Sequence, residues 1–78
     1  MSDYHVQILA LLRARGPDKT ICPSELLSDE DKQNPALMEE VRASARTLAS
    51  QHLIEFTQRG KIVEPDTAKG PIRLRLKR

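Results

Sequence analysis

Aromatic residues are nearly missing from this chain of 78 residues: there is one tyrosine, Tyr4, one phenylalanine, Phe56, and no tryptophan. So sparse a set gives no stacking platform for single-stranded nucleic acid, which needs several exposed π-faces along a groove. It also requires a core of Leu, Ile, Val and Ala. Cys22 is the single cysteine, so an internal disulfide is excluded, in keeping with a reducing compartment. The three glycines, Gly16, Gly60 and Gly70, lie far apart, which excludes a glycine-rich phosphate cradle. No apolar run approaches the roughly 20 residues of a membrane-spanning helix. The start of the chain lacks the basic-then-apolar order of a secretory signal, because Asp3 precedes the apolar run and Arg13 interrupts it. A cytoplasmic protein without membrane contact is therefore expected. His5, His52 and Cys22 are the soft ligand candidates, and their separations match no metal-site spacing. Paired carboxylates occur in polar runs such as Asp29-Glu30-Asp31. No metal, cofactor or enzymatic activity is expected.

What remains is aliphatic and charged. Hydrophobic residues make up 38% of the chain, enough for a two-layer core but not for a deep pocket. Residues 1–78 are read as one domain, near the lower size limit for a self-sufficient core. The net charge of +2 conceals an asymmetry. Residues 1–34 carry four Lys/Arg against six Asp/Glu, a net of −2, whereas residues 35–78 carry nine against five, a net of +4. From Thr67 to Arg78 there are five basic residues and no acid. A basic end suits a polyanion partner, and it equally suits a solubilising tail.

Tyr4, Ile8, Leu11 and Leu12 recur at spacings of three and four, with Leu9 widening the stripe, which predicts a first helix from about Tyr4 to Arg15. Ser2 or Asp3 can cap its start, and Gly16-Pro17 ends it. Thr20-Ile21-Cys22 is a short β-favouring segment. Pro23 fits the first position of a second helix, one that buries Leu26 and Leu27 and fades into the polar run 28–33. Asn34-Pro35 repeats the start signal for a third helix reaching about Gln51, with Leu37, Met38, Val41, Ala45 and Leu48 on one face. The period then falls to two. Ile54–Gln58 alternates, Arg59-Gly60 turns, Lys61-Ile62-Val63 is again extended, and Ile72–Leu76 alternates without error.

This order predicts an α+β domain of the winged helix-turn-helix kind. It would have three helices, a short strand between helices one and two, and a C-terminal wing of two or three antiparallel strands. A three-helix core with a differently arranged terminal hairpin fits the same order. The set Pro23-Ser24-Glu25, Leu37-Met38, Val41-Arg42, Thr57-Gln58, Gly60 and Lys69-Gly70-Pro71-Ile72-Arg73-Leu74-Arg75 resembles a family of small bacterial proteins. It is a domain of unknown function numbered three-two-five-three. The resemblance covers nearly the whole chain. It implies a winged-helix-like fold and brings no activity with it. His52 stands where the resemblance leads one to expect a glycine, and no aromatic lies between Asp29 and Pro35.

Two surfaces carry the candidate binding residues. On the third helix, the side opposite Val41, Ala45 and Leu48 holds Glu39, Ala43, Arg46 and Ser50, flanked by Arg42 and Thr47. Two arginines one turn apart can reach guanine edges or phosphates. The alternative is a solvated face on which Glu39 and Arg42 simply pair. On the wing, Arg73 and Arg75 alternate with the apolar residues of the last strand, and Arg59, Lys61 and Lys69 flank its turns. Such residues can hold phosphates, or merely protect an edge strand from aggregation. The leading expectation is double-stranded DNA binding through helix three and the basic wing. So small a module is expected to need a homodimer or a partner. The alternative is a protein-interaction module on the same scaffold, with an acidic partner at the wing and no nucleic-acid binding.

Overall fold

Asn34 and Pro35 open the longest element of the computed structural model, which describes residues 4–77. Helix α2 spans Pro35–Ser50, and its first turn is held by the Asn34 side chain, whose Oδ1 accepts the Ala36 N–H at 3.0 Å. At its far end the Leu53 N–H reaches back to the Leu48 carbonyl (3.1 Å) and the His52 N–H to that of Ala49 (3.0 Å). This paired closure puts His52 in the left-handed region, at φ +62°, in the position usually given to glycine. Helix α1 covers His5–Arg15. The caps expected from Ser2 and Asp3 lie outside the described residues. Within them, the Tyr4 N–H donates to Ser44 Oγ on α2 at 3.0 Å, joining the two helices.

The expected winged helix is not what forms, because the described residues contain two α-helices rather than three. The second helix expected after Pro23 is a four-residue 3₁₀ turn, Pro23–Leu26, and a further three-residue turn covers Asp31–Gln33. The reason is local. Leu27 adopts extended backbone at φ −117° and ψ 150°, and the helix cannot continue through it. A single turn fixes several dihedrals for one hydrogen bond, so short helices are marginal unless packing or caps compensate. Here the polar side chains serve the turns instead. Glu25 accepts the Cys22 N–H at 2.7 Å, and Ser28 Oγ accepts the Asp31 N–H at 3.1 Å.

Strands β1 (Thr20–Ile21), β2 (Ile54–Gln58), β3 (Lys61–Val63) and β4 (Arg73–Leu76) form one antiparallel sheet in the order β1-β4-β2-β3. The last strand is therefore interior. It sits between β2 and the short β1, which departs from the separate wing expected from the sequence. Ile21, Leu74, Phe56 and Ile54 come from the face that meets the helices, and they pack with Ile8 and Leu12 of α1 and Val41, Ala45 and Leu48 of α2. Burying a Leu or Ile side chain contributes roughly 1.5–3 kcal/mol. An aliphatic core of this kind fixes the sheet against the two helices.

Candidate functional site

One end of the sheet gathers cations from three separate stretches of chain. The pairs Ile21↔Leu74, Thr57↔Arg73 and Gln58↔Lys61 place the end of β1, the start of β4 and the β2–β3 turn side by side. A groove of about 650 Å³ opens there, and Arg59, Lys61, Lys69 and Arg73 line it above apolar atoms of Val63, Pro71 and Ile72. No Asp or Glu lines it.

Each cation is placed by a distinct local device. Arg59-Gly60 is a two-residue hairpin loop with φ +52° and +81°, the type I′ geometry whose twist matches that of the flanking strands. That geometry puts Arg59 at the hairpin tip. Lys61 opens β3 directly opposite Gln58. Lys69 lies in the segment between β3 and β4, where the Glu64 carbonyl accepts the Thr67 and Ala68 N–H groups at 3.3 and 2.9 Å. Gly70, at φ +79°, then turns the chain towards β4. Arg73 lies across β1, its Nε donating to Thr20 Oγ1 at 2.6 Å and its Nη2 to the Thr20 carbonyl at 3.3 Å. Arg59, Lys61 and Lys69 are exposed and form no ion pair among the described residues. Arg73 is partly compensated, since its charge is felt by Glu25.

The other four expected residues are not gathered here as groove walls. Arg46 pairs with Glu39, Nη2 to Oε1 at 2.9 Å, so that glutamate is taken by the arginine seven residues on, not by Arg42 three residues on. Arg42 instead donates from Nη2 to the Gly70 carbonyl at 3.1 Å. The Ser50 hydroxyl donates to the Thr47 carbonyl of its own helix at 2.7 Å. Arg75 lies on the sheet face away from the helices, as its alternation predicts, but it is not held out to solvent. Its Nη2 donates to Glu55 Oε1 at 3.0 Å, with side-chain exposures of 23% for Arg75 and 9% for Glu55, and its buried Nε has no partner among the described residues. Lys77 Nζ reaches the other Glu55 oxygen at 3.4 Å.

Two carboxylates are electrostatically tuned. The Arg75 guanidinium and then the Lys77 ammonium hold Glu55 below the ordinary value of 4.5. Glu25 is lowered chiefly by the Cys22 N–H and then by Arg15, which bonds it at 2.6 Å. Both glutamates tie separate stretches of the chain together. Among the described residues no group of three His, Cys, Asp or Glu could hold a metal ion, and no helix is long and apolar enough to cross a membrane. A smaller depression of about 230 Å³, bordered by His52, Glu64 and Lys77, mixes both signs of charge.

Neither Gln58 nor Thr20 was among the expected binding residues. Thr20 lay too close to a proline-bounded stub to reveal a partner. Gln58 did carry a signal: it continues the Ile54, Phe56 parity towards the helix side, where a polar residue needs hydrogen bonds. It finds them in the carbonyls of Lys69 (2.5 Å) and Pro71 (3.2 Å).

These features define a small α+β domain, two helices over one face of a four-stranded antiparallel sheet, with a cationic groove at the sheet's end. The chain belongs to the family described as Protein of unknown function (DUF3253), whose model matches residues 2–77. A comparison with curated proteins finds no match.

Proposed function

We propose that this chain is a non-catalytic module that binds the phosphate backbone of double-stranded DNA at the groove formed by Arg59, Lys61, Lys69 and Arg73. The observation carrying this reading is the convergence of four cations on one groove without a carboxylate in its walls. Cations held apart from acids repel one another, an arrangement that a bound polyanion relieves. Duplex is favoured over single strand because Phe56 is buried and Tyr4 packs against the core, which leaves no aromatic in the groove for bases to stack on. Helix α2 has a lesser part than its spacing suggested, since Arg42, Arg46 and Ser50 each have a partner within the chain.

The test is a titration of labelled random-sequence duplex across a range of salt. Four phosphate contacts give a slope of log affinity against log salt of about −3.6. Replacing Arg59, Lys61 and Lys69 by methionine together is expected to reduce that slope to about −0.9. Absence of binding at low salt overturns the proposal. Binding of polyglutamate in place of duplex substitutes an acidic protein partner for DNA.

A further inference from the structure

Three consecutive carbonyls in the segment before β4 are held by two side-chain donors that come from different parts of the fold. Gln58 Nε2, at the end of β2, donates to the Lys69 carbonyl at 2.5 Å and to the Pro71 carbonyl at 3.2 Å. Arg42 Nη2, on α2, donates to the Gly70 carbonyl between them at 3.1 Å. Nothing of the kind is needed merely to close the chain, because a surface segment can satisfy its carbonyls with water. Gly70 supplies the positive φ of +79° at the centre of this arrangement, where an added Cβ would meet no atom within 4 Å, so conformation rather than space favours glycine.

We infer that Gln58 and Arg42 are positioning residues that hold the 69–71 segment in the form presenting Lys69 to the groove, and that Arg42 is a strap for this segment rather than a reader of DNA. The inference rests on the phosphate-binding function proposed above. A lysine on a segment fixed before binding loses less conformational freedom on meeting a phosphate than one on a loose segment, and that difference appears in affinity. Arg42 and Gln58 also tie the segment to both layers of the fold, α2 and β2, so the groove wall stands on the core rather than on its own turn.

The salt dependence separates positioning from contact. Gln58→Met keeps the length and the charge and removes both donated hydrogen bonds. Arg42→Met removes the strap to Gly70. Each is expected to weaken duplex binding by between about threefold and tenfold, with the salt slope unchanged, because no phosphate contact is lost. Lys69→Met is expected to reduce the steepness of the slope by about 0.9. In the free protein, backbone ¹⁵N order parameters at Lys69 and Gly70 are expected to fall in Gln58→Met and Arg42→Met and to stay as in the parent in Lys69→Met. Unchanged order parameters in both strap variants overturn the positioning role while leaving wild-type binding intact. A slope reduced by Arg42→Met as much as by Lys69→Met makes Arg42 a contact residue and also overturns it. If the parent protein binds no duplex at low salt, the phosphate reading itself fails. The order parameters then still report whether the two side chains hold the segment.

Discussion

A left-handed backbone at a residue with a side chain costs roughly 1–2 kcal/mol, and among the described residues other than glycine His52 and Arg59 adopt it. The two differ in what the strain accompanies. His52 is exposed and closes helix α2 in a position where glycine does the same work more easily. Arg59 stands at a hairpin tip whose type I′ turn is better served by asparagine, and it brings a cation to the groove. His52→Gly and Arg59→Asn are both expected to raise stability by about 0.5–1 kcal/mol, seen as a higher thermal midpoint. They should part company in DNA binding: the first leaves the salt slope alone, and the second reduces its steepness by about 0.9. The strain at His52 was legible through the resemblance, which leads one to expect a glycine at that position. That at Arg59 was not. Arg59-Gly60 announces a turn, but its type depends on Gln58 facing Lys61, a register that alternation alone does not give.

Elements of this chain were legible where a periodic face and a cap coincide. Helix α2 has both, and removing its cap is expected to be measurable. Asn34→Ala should destabilise the protein by about 1 kcal/mol while Asn34→Asp changes little, read from urea midpoints at neutral pH. Equal loss in the two variants would show that the Asn34 Oδ1 bond to Ala36 does not hold the helix start. The segment from Pro23 to Gln33 misled because its start signal is genuine. Pro23 does open a turn, in which the Glu25 carboxylate accepts the Cys22 N–H. What the pattern lacks is length, and Leu27 is buried through an extended backbone rather than a helical one. The strands show the complementary case. β2 and β4 announce themselves by alternation, but β1 has only two residues, too few to show a period. Its pairing with β4 decides the sheet order, and α1 packs against both of these strands. Of the eight expected binding residues, the four near turns converge. The helix pair Arg42 and Arg46 does not, because partners distant in sequence, Gly70 and Glu39, take their side chains.

At the scale of the whole molecule, cations gather at the groove, while two glutamates, Glu25 and Glu55, are tied by hydrogen bonds and ion pairs. Glu25 joins α1, through Arg15, to the turn after β1, while Glu55 joins β2 to β4 through Arg75 and to the chain beyond through Lys77. Between them they link a helix to the sheet and the sheet's two middle strands to each other. Exposed pairs contribute little, but the Glu55 side chain is only 9% exposed and sits against a guanidinium whose buried Nε has no partner among the described residues, so its loss leaves a partly buried cation poorly satisfied. The folded values of both glutamates lie below the ordinary 4.5. In the window beneath that value the unfolded chain therefore binds more protons than the folded one, and stability rises with pH through it. The contribution is complete above about 4.5 and is lost as pH falls through the folded values. Urea unfolding between pH 7 and pH 3 should show the parent protein weakening across this window. Glu25→Gln and Glu55→Gln should be less stable at pH 7, and each should have a shallower acid dependence, with Glu55→Gln the more destabilised at neutral pH because its partner is the more buried. An acid limb identical in all three proteins would place the titrating groups elsewhere and leave these two ties without a part in holding the helix and the strands together.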